Sequence, residues 1–278
     1  MIVPARGAEL FYSTRGEGPV CLVLSAIGTR PYERHIPSGL SEGLKLVFVD
    51  LRASGKSTGE PSQVTLDSLT EDLEAVRVSL GVEKVAVLGH SLLGIVAIEY
   101  GRRRPRSVSH VIAVGTPPTG DMAAVAARSR SFFDEDASED RKQVLRENMS
   151  RLPAGASMAQ TMYAQTPMRF YDARFDAAPL FAEAERRPGL LMHLMGDVTP
   201  GWDVLIGAGG SRAPIFLAHG RYDYTVPHVM WEGVASRLPS ARLEIFERSG
   251  HQPFVEEPDR FVAAVMDWMK PAAREAKA

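Results

Sequence analysis

A chain of 278 residues with 45% apolar and 24% charged residues has ordinary globular composition, with room for one large core plus an insertion. Its formal net charge of −2 offers no basic field for nucleic acid or an anionic membrane surface. One cysteine, Cys21, excludes an intrachain disulfide and a cysteine-based zinc cluster, and no apolar run reaches the ~18 residues of a membrane span. No apolar stretch follows basic residues at the N-terminus, so a cytoplasmic setting is expected.

Taken in order, Glu9–Thr14 reads as an antiparallel strand. Val20–Leu24 and Leu46–Val49 follow as apolar runs without alternation, the pattern of parallel strands covered on both faces. Leu66, Leu69, Leu73, Val76 and Leu80 step by three and four and draw a helical stripe. Ser68 and Glu71 are the expected capping box of that helix, and Gly81 ends it. Lys84–Leu88 is the next strand. A helix carrying Ile95, Ala97, Ile98 and Tyr100 follows it and closes on Arg102, Arg103 and Arg104. His110–Val114 is another strand. The alternation then stops until about residue 210. Seven of the eleven methionines lie in that interval, Met162 among them, with Tyr163, Phe170, Tyr171 and Trp202. Strands resume at Ile215–Ala218 and Leu243–Phe246, and Phe261, Val262, Val265, Met266 and Met269 form a closing helical stripe. The expected fold is α/β, a mostly parallel sheet with helices on both faces. Residues 1–117 and 211–278 form its core, and 118–210 an inserted helical cap.

Ligands of such sheets bind beyond the carboxyl ends of the strands. Ser25-Ala26-Ile27-Gly28 follows one strand, and Asp50 the next. Gly89-His90-Ser91 follows the third, His219 through Asp223 the fifth, and Ser249-Gly250-His251 the last. A serine, an acid and a histidine reach one edge in the chain order Ser, Asp, His. Gly55-Lys56-Ser57-Thr58 lacks the earlier glycine of a phosphate loop, since position 50 is aspartate. His219, Asp223 and His228 lack a metal-ligand spacing, so no metal is expected.

These loops resemble the α/β-hydrolase superfamily, and the likeness covers nearly the whole chain. Val47-Phe48-Val49-Asp50-Leu51-Arg52-Ala53-Ser54-Gly55-Lys56-Ser57 is similar to the family's Asp-x-Arg-Gly-x-Gly-x-Ser loop, with Ala53 in place of a glycine. Gly220-Arg221-Tyr222-Asp223 resembles its acid loop, and Ser249-Gly250-His251-Gln252-Pro253 its histidine loop. The nucleophile turn departs from Gly-x-Ser-x-Gly: Leu93 stands at the second glycine, and Gly94 comes one residue late. Either the helix shifts or Leu93 points into a gap.

The resemblance implies a serine hydrolase with Ser91 as nucleophile, His251 as base and Asp223 as the orienting acid, Asp50 being the alternative acid. The backbone N–H of Leu92 and of Ile27 would form the oxyanion hole, with Ala26 in reserve. Met162, Phe170 and Trp202 would line the substrate pocket. The expected substrate is a small carboxylic ester or lactone with an apolar acyl group, and no cofactor is called for. The segment Gly220–Pro258 also looks like proline iminopeptidases. That exopeptidase activity, carbon–carbon bond hydrolysis and a non-catalytic receptor are the alternatives.

Overall fold

The protein is described here by a computed structural model covering residues 1–181, 189–206, 213–238 and 240–270. The elements run β1 (Ile2–Ala5), β2 (Ala8–Arg15), β3 (Val20–Ser25), α1 (Thr29–His35), β4 (Lys45–Asp50), α2 (Leu66–Ser79), β5 (Val85–His90), α3 (Leu93–Arg103) and β6 (Val108–Val114). Next come α4 (Met122–Asp136), α5 (Glu139–Ser150), α6 (Met158–Ala164), α7 (Thr166–Arg169), α8 (Ala178–Phe181) and α9 (Gly189–His193). The chain returns to the sheet with β7 (Ile215–Gly220) and β8 (Ala241–Phe246), then α10 (Pro253–Glu256) and α11 (Pro258–Met269).

The eight strands form one sheet in the order β1-β2-β4-β3-β5-β6-β7-β8. β1 and β2 are antiparallel to their neighbours, and every pair from β4 onward is parallel. The missing alternation now has its cause. Successive strand residues point to opposite faces, and both faces are buried. Leu22, Leu24, Val47, Val49, Val87 and Leu217 pack with α2 and α3. Cys21, Val23, Leu46, Phe48, Leu88 and Phe216 pack with Tyr32, Phe261 and Val265 on the other side. Burial pushes the Cys21 thiol up to about 12, so it serves as a small apolar residue.

Two local readings change. β1 is an additional strand that sequence pattern concealed, because it has four residues and contains Pro4, which only an edge tolerates. The capping box of α2 is Thr65 with Ser68, not Ser68 with Glu71. Thr65 Oγ1 accepts from Ser68 N at 3.1 Å, and Ser68 Oγ accepts from Thr65 N at 2.9 Å. Ser68 is thus already inside the first turn.

Between β6 and β7 the chain leaves the sheet and comes back at one place. Gly120 N donates to Trp202 O at 2.7 Å, and Val204 N to Pro118 O at 3.0 Å. The methionine-rich helices therefore hang from two adjacent backbone segments.

The loop after β4 is pinned from inside. Asp50 Oδ2 accepts from Lys56 N at 2.9 Å, and Ser57 Oγ donates to Asp50 O at 2.7 Å. Ala53 has φ 62°, the left-handed conformation for which a glycine was expected. Arg52 makes a bidentate contact with Asp72 of α2, both buried. Removing one partner of such a pair strands a buried charge and costs about 3–5 kcal/mol. Asp72→Leu should therefore lower the unfolding free energy by about that amount, and Arg52→Met with Asp72→Leu by less. Urea unfolding of the three proteins measures both.

Candidate active site

β5 passes into α3 through Ser91 and Leu92 alone. Ser91 has φ 56°, a strained conformation for a residue with a Cβ. Its N–H donates to Val114 O at 2.7 Å, tying the bend to the end of β6. The helix start presses on Gly89, where a Cβ would lie 2.3 Å from Leu93 O. Leu93 itself is 3% exposed, its side chain in the main core, so the turn keeps its shape without a glycine there. Leu92 N–H belongs to the first amides of α3, which have no intrahelical acceptor.

Asp223 follows β7 and His251 follows β8, and the two meet. His251 Nδ1 lies 2.7 Å from Asp223 Oδ2, with the imidazole 2% and the carboxylate 0% exposed. The other carboxylate oxygen accepts from Thr225 N and Val226 N, each at 2.9 Å. A carboxylate can only accept, so Nδ1 carries the proton and Nε2 is left with its lone pair. Asp50 belongs to its own loop, as described. Gly115, φ 54°, closes over the imidazole: a Cβ there would lie 2.9 Å from Nδ1.

His90, next to Ser91, joins the nucleophile turn to the histidine loop. Its ring is 4.8 Å from that of His251, and its Nε2 lies 3.0 Å from His251 O. A carbonyl accepts, so Nε2 carries the proton and Nδ1 receives the Tyr32 hydroxyl at 3.2 Å. Burial, and then the charge of His251, push His90 well below its ordinary value and keep it neutral.

The remaining expected site residues divide. Ile27 N–H lies 3.2 Å from Ser25 Oγ, which itself donates to Gly28 O at 2.6 Å. Met162 is half-buried on α6. Phe170 is fully buried and stacked on Phe175 at 4.5 Å, while Trp202 sits in the main core and donates Nε1–H to Glu99 at 3.2 Å. Phe170 thus packs within the helical segment, and Trp202 ties it to α3. In the same segment Arg174 pairs with Asp140 at the surface. Arg186 and Arg187 lie outside the described residues. An open groove of about 500 Å³ runs past Asn148, Arg151 and Tyr163 without touching Ser91, Asp223 or His251.

Two further residues, to which the sequence assigned no role, belong to this arrangement. The carbonyl of Arg169, at the end of α7, accepts His251 N–H at 2.6 Å. Glu256, two residues before Pro258, accepts Gly250 N at 2.7 Å and Tyr171 N at 2.6 Å. It thus clamps the segment after α7 to the histidine loop.

With this geometry in view, the comparisons agree. Residues 18–258 match the alpha/beta hydrolase fold family model, and the chain belongs to that family. It is 32% identical over 273 residues to the AB hydrolase superfamily protein YclE of Bacillus subtilis (strain 168), covering 95% of this chain and 96% of the relative. It is 29% identical over 199 residues to a pimeloyl-[acyl-carrier protein] methyl ester esterase of Aromatoleum aromaticum, covering 66% and 74%. The crystal structure of a Mycobacterium smegmatis proline iminopeptidase shares the fold with a TM-score of 0.75 at 19% identity, covering 97% of each chain. The protein is a hydrolase of this fold.

Removal from water pushes the Glu256 carboxyl up to about 7, and Asp223 and Glu257 add to that, while the Tyr171 and Gly250 amides pull it down. Its ordinary value is 4.5, so the unfolded chain releases this proton first as pH rises. Stability from this residue is complete below pH 4.5 and is lost as pH passes about 7. Unfolding free energies of wild type and Glu256→Gln at pH 5 and pH 8 should show it: the wild-type protein loses more over that interval than the variant.

Proposed function

We propose that the protein is a serine hydrolase of carboxylic esters or lactones, working through an acyl-enzyme. The reading is carried by the Nδ1–H bond from His251 to Asp223, which leaves Nε2 as a base at the edge where Ser91 emerges. Ser91 Oγ attacks the acyl carbon while His251 Nε2 takes its proton. Asp223 stabilises the resulting imidazolium. Leu92 N–H and Ile27 N–H receive the oxyanion. The Ile27 donor gives up its long contact with Ser25, because a charged acceptor makes a hydrogen bond about twice as strong. The intermediate collapses, the alcohol leaves with the proton from His251, and water repeats the sequence to release the acid. Residues 118–210 act as the cap over this edge, with Met162 on the acyl group.

A peptidase for N-terminal proline must hold a cationic amine. Arg169, whose charge is felt by His90 and Asp223, opposes an amine there, so the ester reading is preferred.

Ser91→Ala and His251→Ala should each reduce turnover roughly 10⁴-fold, and Asp223→Ala strongly. A fluorophosphonate should label the wild-type protein and spare Ser91→Ala. Folded Ser91→Ala that kept a tenth of the activity would refute the assignment. In a matched kinetic series, kcat/KM for a prolyl arylamide should be at least ~100-fold below that for the best ester or lactone, about 2.7 kcal/mol in barrier. Faster cleavage of the arylamide would favour the peptidase instead.

A further inference from the structure

We propose that the Arg169 guanidinium is a binding site for a carboxylate carried by the substrate, so that the preferred substrates are half-esters of dicarboxylic acids or acids of like charge. The proposal rests on the ester reading above and narrows its substrate class.

The other arginines of this region are satisfied. Arg141 Nη1 donates to Pro167 O at 2.6 Å and Phe170 O at 2.8 Å, and its Nη2 to Tyr171 O at 2.5 Å. Arg174 pairs with Asp140 at 2.7 Å. Arg169 does neither. Its Nε is closed off from solvent without a hydrogen-bond partner, and its head makes no ion pair among the described residues. A guanidinium has five N–H donors and no acceptor, and leaving the buried Nε–H unmade is unfavourable. Burial pushes this guanidinium below its ordinary value, and Asp223 pulls it back up.

The nearby carboxylates do not take it: none forms an ion pair with Arg169 among the described residues. Both oxygens of Asp223 are engaged, by His251 on one side and by Thr225 and Val226 on the other. Both oxygens of Glu256 are engaged, by Tyr171 and Gly250. The missing acceptor is therefore supplied from outside. With the Asp223 charge already acting on Arg169, one added negative charge is matched better than two, which favours a carboxylate over a phosphate. The position suits a substrate group: the Arg169 backbone holds His251 through a 2.6 Å bond, so its side chain starts within the catalytic framework. Guanidinium and carboxylate pair in a planar, two-bond geometry that fixes orientation as well as affinity.

Monomethyl glutarate and methyl pentanoate test this, being the same chain with and without the charge. Calorimetry on Ser91→Ala, which cannot turn them over, should give roughly tenfold or more tighter binding of the anion. Adding Arg169→Met should bring the two affinities together, and Arg169→Lys should restore part of the difference. Equal binding of both esters by the protein with Arg169 intact overturns the proposal, whatever the Arg169 variants do. Methanol release by the protein with Ser91 intact is a separate readout. Anion-selective binding without methanol release would leave the Arg169 site standing and remove the ester-hydrolase reading.

Discussion

Parallel pairing of β5, β6, β7 and β8 is the constraint on which the rest depends. Parallel strands end at the same edge, so residues far apart in the chain leave the sheet side by side. Ser91 follows β5, Gly115 follows β6, Asp223 follows β7 and His251 follows β8. The 2.7 Å contact between Asp223 and His251 is a consequence of that register, since β7 and β8 are neighbours. So is the pressure of Gly115 on the imidazole from the strand between β5 and β7.

A second set of bonds ties the catalytic edge to the helical segment. His251 N to Arg169 O, Gly250 N and Tyr171 N to Glu256, and Arg141 to three carbonyls between residues 167 and 171 form one connected patch. Within that patch Arg169 Nε is a buried side-chain nitrogen without a partner among the described residues. Buried polar networks are stiff when complete. The same short segment thus holds His251 and carries Arg169. On the proposed function, cap and chemistry are coupled through backbone rather than through side-chain packing.

Much of this could be read beforehand. Six strand positions were legible as apolar runs, because most of the sheet is buried on both faces. That Ser91, Asp223 and His251 lie at one edge of the sheet was legible because each lies in the loop that follows a strand. An aromatic residue in a helical insertion looks the same in sequence whether it faces a pocket or a core, so the stacking of Phe170 on Phe175 and the bond of Trp202 to Glu99 were not legible. The capping box was placed a turn late because Ser68 fits either role locally.

By itself the sequence determined the alternation of strands and helices, the order of the loops and the residue types each loop delivers, because periodicity and turn chemistry are local properties. Tertiary structure decided what depends on distance. It set which acid meets His251, and that Leu93 finds room in the core. It turned Ser25 toward the Ile27 amide. It also left Arg169, alone among its neighbouring arginines, without an acceptor. The reason is physical: a side chain's partners are chosen by the packing of segments distant in sequence, and no local pattern records whether a buried charge has been paired.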